Sequence, residues 1–103
     1  MSNPATEHSA AGFSARMRAL RLAFGPELGR TSQTAFSAYC GIGVTAWNNY
    51  EKLGARPDID SARKLVAKFG VTLDWIYEGD PRGLRLDVIE RLSPHLEAVP
   101  RRA

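Results

Sequence analysis

Only three residues, Gly41-Ile42-Gly43, separate two segments that each carry helical periodicity. The first opens at Ser32, whose hydroxyl can accept from the free amides of a first turn, and runs through Phe36, Tyr39 and Cys40 to its end at Gly41. The second, Val44 to Leu53, follows almost immediately and sets Trp47, Tyr50 and Glu51 on one face at i, i+3 and i+4. Everything else in the chain reads as short helices around this pair.

Upstream, Met17, Leu20 and Phe24 recur at helical spacing while Arg16, Arg18 and Arg21 fall elsewhere, which predicts a first helix over 14–24, stopped by Gly25-Pro26. Downstream, Gly54 to Pro57 forms a loop and Asp58 or Asp60 caps a fourth helix with Ala62, Leu65, Val66 and Phe69 inward, ended by Gly70. Thr72 caps a short fifth helix containing Leu73, Trp75 and Ile76. After the breakers Gly79 to Gly83, an apolar stripe of Leu84, Val88, Ile89, Leu92 and Leu96, interrupted by Pro94, predicts a sixth helix over 84–93. No run alternates as a half-buried strand does, so the fold class is all-α. Residues 1–12, small, polar and without period, read as a flexible arm; 13–79 as the domain; and 80–103 as a C-terminal extension with a frayed tail at Arg101 and Arg102.

Function classes fall away quickly. A chain of 103 residues has room for one small core, and 44% apolar with 24% charged residues is the balance of an ordinary globular protein. Cys40 is the sole cysteine and cannot close a disulfide within the chain, which fits the cytoplasm. His8 and His95 lie far apart, so no metal-ligand spacing and no metal site is expected. No stretch approaches the roughly 20 apolar residues of a membrane span. Gly41-Ile42-Gly43 is too short for a dinucleotide fingerprint and follows no strand, so no cofactor is expected. No nucleophile and base can be placed together, with Cys40 on an apolar face and both histidines near the ends, which speaks against an enzyme.

Charge is distributed unevenly. The net value is only +3, but from Arg16 to Arg56 there are six basic residues against Glu27 and Glu51, while eight acids lie from Asp58 onward. In this acid-poor stretch Arg16, Arg30, Lys52 and Arg56 are candidates for phosphate contacts. With Trp47, Tyr50 and Glu51 inward, Thr45, Asn49 and Lys52 project outward from the third helix and Asn48 flanks them. An asparagine can pair with the N6 and N7 edge of adenine in the major groove, and Val44 and the Thr45 methyl can touch a thymine methyl. Taken alone, exposed amides are ordinary surface residues; two helices joined by a three-residue glycine turn match a helix-turn-helix in spacing and favour base reading.

The chain here resembles the lambda-repressor and Cro type of helix-turn-helix regulators. The likeness covers roughly residues 16–79 and rests on Ser32-Gln33, Phe36-Ser37, Gly41-Ile42, Asn49-Tyr50-Glu51, Pro57 and Gly70-Val-Thr-Leu-Asp-Trp-Ile76. It implies a five-helix DNA-binding domain, with Gln33 near the phosphates, Val44, Thr45 and Asn49 facing bases, and Arg21 paired structurally with Glu51. Double-stranded DNA is the implied partner, bound by a homodimer on a two-fold operator with half-sites about 34 Å apart. The stripe from Leu84 to Leu96 fits either a dimer-forming helix or one that folds back on its own chain. The competing function is a helix-turn-helix antitoxin or adaptor that binds another protein through this last helix or the N-terminal arm, with DNA binding secondary. Three features depart from the family pattern: the long connection Gly25 to Thr31, Gly43 where a capping Ser or Thr is usual, and Lys52-Leu53-Gly54 where Asn-Gly follows the glutamate.

Overall fold

The computed structural model describes residues 9–97. It contains six helices: α1 (Ala10–Leu28), α2 (Gln33–Cys40), α3 (Val44–Leu53), α4 (Ile59–Phe69), α5 (Leu73–Glu78) and α6 (Leu86–Glu97). Among the described residues there is no strand, and the architecture is all-α. Ser32 and Thr72 cap α2 and α5 as their hydroxyls suggest, accepting from the amides of Ala35 and Trp75 at 3.1 and 3.0 Å.

The long first helix is the main correction to the expected boundaries. It begins at Ala10, where the Ser9 hydroxyl accepts from the Gly12 amide at 3.0 Å, so the last three residues of the expected arm are helical. Residues 1–8 and the Arg101-Arg102 tail lie outside the described residues. Gly25-Pro26 does not stop the helix, which continues to Leu28 and ends at Gly29 in the left-handed conformation. Pro26 is exposed, and its ring removes only the bond to the Leu22 carbonyl on the same outer side. Gly25 serves a tertiary purpose instead: a Cβ there would stand 2.7 Å from the Arg30 carbonyl oxygen, which belongs to the returning chain. Its own carbonyl accepts from the Arg30 amide at 2.9 Å. The extra residues before α2 thus extend α1 and do not form a loose loop.

The core joins all six elements. Phe13, Met17 and Leu20 of α1 meet Phe36, Trp47, Leu65, Trp75, Ile76, Val88 and Leu92, all buried. Through it runs a chain of rings: Phe24 lies 4.8 Å from Phe69, Phe69 stacks on Phe36 at 5.4 Å, Phe36 meets Trp47 at 5.2 Å, and Trp47 meets Tyr50 at 5.5 Å. Such offset and edge contacts add to the area the rings bury.

Helix α6 starts later than expected and passes Pro94, which is exposed, as is Glu90, whose carbonyl loses its helical donor. Leu84, Val88 and Leu92 are buried, and α6 packs along α1. Of the two fates open to this stripe, its inward part folds back on its own chain.

Arg16 is a second correction. It is fully buried and donates to the Ile76 carbonyl through Nε and Nη2 at 3.3 and 3.1 Å, so it is not a surface cation available to a phosphate. Burial, with the nearby Arg56 charge, lowers its pKa to about 10, so it stays protonated at neutral pH.

Candidate nucleic-acid interface

The turn between α2 and α3 is pinned from below. Gly41 is left-handed, its amide bonds the Ala38 carbonyl at 3.1 Å, and the Lys64 ammonium from α4 donates to the Gly41 carbonyl at 2.7 Å. Lys64 carried no signal in the sequence, because it lies 23 residues away on another helix. Helix α3 then begins at Gly43 without a side-chain cap, as the missing Ser or Thr implies.

Its two faces separate as expected. Trp47, Tyr50 and Glu51 are buried, while Val44 and Thr45 are exposed and Asn48 and Asn49 half-buried. Lys52 projects into solvent near the end of α3, and Arg56 is exposed in the following loop. That loop is tied to α5 by the Tyr77 hydroxyl, which donates to the Pro57 carbonyl at 2.8 Å. Arg30 is exposed, and its guanidinium lies 5.6 Å from the Tyr39 ring centroid.

Glu51 is the hub beneath this face. Arg21 donates to both carboxylate oxygens, Nε to Oε2 at 2.7 Å and Nη2 to Oε1 at 2.8 Å; the Trp47 indole donates to Oε2 at 2.5 Å; and the Gln33 amide donates to Oε1 at 3.1 Å. Arg21 also donates to the Thr31 carbonyl at 2.8 Å, joining α1 to the entry of α2. An ionised carboxylate accepts only, so it fixes the Gln33 side chain with its nitrogen inward. The Gln33 oxygen therefore faces outward along α3 and accepts from Asn48 Nδ2 at 2.8 Å. This relay orients both amides from the buried charge. No sequence signal linked Gln33 to Asn48, which lie 15 residues apart on different helices.

Burial pushes the Glu51 carboxyl up, but the bonds from Arg21 and Trp47, the Arg21 charge and the Gln33 bond together hold it below the ordinary glutamate value. The bond to Glu51 raises Arg21 correspondingly. A carboxylate with a lowered folded pKa stabilises the fold above its unfolded pKa, about 4.3 for glutamate, and that contribution disappears as pH falls through the folded value. Denaturation midpoints measured from pH 7 downward are expected to hold level and then fall below about pH 4.3, more steeply for this chain than for Glu51→Gln. Equal slopes for the two would show that Glu51 is not the group responsible.

A family model described as helix-turn-helix matches residues 27–76, from the last turn of α1 through α2, α3, α4 and most of α5. Residues 27–76 form a helix-turn-helix domain of the Cro/C1 type. No curated protein and no solved structure matches the chain. A Cro/C1-type domain is a DNA-binding unit of transcription regulators, and the matched span contains every residue singled out for DNA, from Arg30 to Arg56, apart from the buried Arg16. Arg21 and all of α6 lie outside that span. Two further facts bear on other chemistry. The Cys40 thiol is buried and pushed up to about 12 by desolvation, so it remains protonated at neutral pH. Among the described residues, no helix is long and apolar enough to cross a membrane, and no group of three or more His, Cys, Asp or Glu could hold a metal ion.

Proposed function

We propose that this chain is a sequence-specific transcriptional regulator that sets α3 into the major groove of double-stranded DNA, as a dimer on a two-fold operator. Val44, Thr45, Asn48 and Asn49 face base edges; Gln33, Arg30, Lys52 and Arg56 contact phosphates. The observation that carries this reading is the stance of α3: its indole and phenol rings are buried while Val44 and Thr45 are exposed and Asn48 and Asn49 stand half-buried on the outer side. The relay from Glu51 through Gln33 to Asn48 supports it further, since oriented amides lose less freedom on binding than mobile ones. A bound asparagine then offers its oxygen on the outer side. The antitoxin or adaptor reading is less favoured, because Leu84, Val88 and Leu92, the inward part of the stripe that one of its two routes would use, are buried in the chain's own core.

Selection of bound sequences from a random duplex pool tests the proposal directly, and recovery of a two-fold consensus is the expected outcome. On that consensus Asn49→Ala is expected to lose about 1–3 kcal/mol of affinity and to relax one base position. Lys52→Ala weakens all sequences alike and lowers the salt dependence, as loss of one phosphate contact does. Titrations in which neither substitution changes binding would remove these assignments. Analytical ultracentrifugation of the DNA complex reads the stoichiometry, and one chain per operator would remove the dimer.

A further inference from the structure

On another part of the molecule a cavity of about 300 Å³ opens between the second half of α1, the end of α4 and the first two turns of α6, and none of the residues proposed for DNA lines it. Three cationic side chains border it, Lys68, Arg85 and Arg91, against one carboxylate, Asp87. Phe24 and Phe69 also line it, in contact with each other at 4.8 Å, and Phe69 stacks on Phe36. Each cation is positioned by the fold. Arg91 lies 4.4 Å over the Phe24 ring and donates to the Ala23 carbonyl at 3.4 Å. The Lys68 ammonium sits 4.6 Å from the Tyr39 ring centroid. Arg85 lies against Gly70, its Nη2 3.6 Å from where a Cβ would stand, an ordinary contact distance.

The carboxylates present do not neutralise this group. Asp87 pairs with Arg85 at 3.2 Å with side chains 70% and 72% exposed, and Glu27, from outside the lining, pairs with Arg91 at 3.0 Å while 68% exposed. Exposed pairs of this kind contribute little, so a more highly charged anion displaces them readily. Two guanidinium forks and an ammonium suit a phosphate dianion, with its three acceptor oxygens, better than a single carboxylate. The volume reaches the lower end of ligand pockets, about 300 Å³, and exceeds what a bare phosphate fills. We infer that this cleft binds a small polar metabolite carrying a phosphate monoester, the phosphate between Arg85, Lys68 and Arg91 and the organic portion against Phe69 and Val88. The site does not depend on the DNA-binding reading, and its test needs no DNA to succeed.

Backbone amide shifts of the full chain, followed by NMR, test it with three probes: inorganic phosphate, glucose 6-phosphate and glucose. The amides of Gly70, Arg85 and Val88 are expected to shift and saturate with both phosphate-bearing probes, the sugar phosphate binding at least about threefold more tightly, and to stay still with glucose. The paired substitution Lys68→Gln with Arg85→Gln, both at exposed side chains, is expected to weaken phosphate binding at least about tenfold while leaving the remaining spectrum in place. Unmoved amides, or unchanged affinity in the paired variant, would overturn the site. Sugar phosphate bound no more tightly than inorganic phosphate would overturn the metabolite. If the paired variant instead loses about tenfold in duplex affinity with no probe present, these cations hold a DNA backbone phosphate, and the inference fails on that ground.

Discussion

Glu51→Ala is expected to lower the unfolding free energy by about 3–5 kcal/mol, the scale for removing one partner of a buried ion pair. The carboxylate is 3% exposed and receives donors from three helices, Arg21 of α1, Gln33 of α2 and Trp47 of α3 itself. Alanine leaves the Arg21 charge, 17% exposed, facing an emptied space, and leaves the indole N–H of a fully buried tryptophan without its acceptor. Each orphaned polar group carries its own desolvation penalty, about 1–3 kcal/mol. Glu51→Gln keeps one acceptor oxygen and the shape, and is expected to fall between wild type and alanine. Denaturant titration followed by far-ultraviolet circular dichroism measures both. A loss below about 1 kcal/mol for alanine would mean that the pair is solvated in solution and contributes as a surface pair does. For a domain with total stability of about 5–15 kcal/mol, the expected loss leaves little margin.

What was legible in the sequence follows from how local each cause is. The limits of α2 and α3 could be read because Ser32, Gly41 and the three-residue link act within one turn of the chain. The inward set Trp47, Tyr50 and Glu51 could be read because helical period alone fixes it. By contrast, the end of α1 was misplaced because Gly25 answers to the carbonyl of Arg30 passing over it, and Pro26 forbids only one bond on a solvent side. Pro94 in α6 repeats this lesson. Arg16 was misassigned although a signal existed: it stands three residues after Phe13 and four before Leu20, on the face that Met17 shares, so it was bound to enter the core. The Gln33 to Asn48 bond and the Lys64 hold on Gly41 join separate helices, and no local pattern encodes them.

The second large loss is expected at Phe36→Ala, again about 3–5 kcal/mol, for a different reason. Phe36 is fully buried and is the ring through which α4 and α3 meet, stacked on Phe69 at 5.4 Å and against Trp47 at 5.2 Å. Its removal forfeits transfer energy and opens a cavity that the rigid ring chain cannot collapse to fill. The two losses can be told apart by pH. Below the ordinary glutamate value, about 4.3, the unfolded chain takes up a proton at Glu51 that the folded chain, with its lowered carboxyl, still resists, so the pair's contribution drains away as pH falls toward the folded value and the gap between wild type and Glu51→Ala narrows. Phe36→Ala changes no charge, and its gap stays constant between pH 7 and pH 4. Should the Phe36 gap shrink with acid as the Glu51 gap does, the seat of α3 would depend on its buried charge rather than on the rings behind it, and the division of labour between the aromatic chain and the Arg21–Glu51 pair would be wrong.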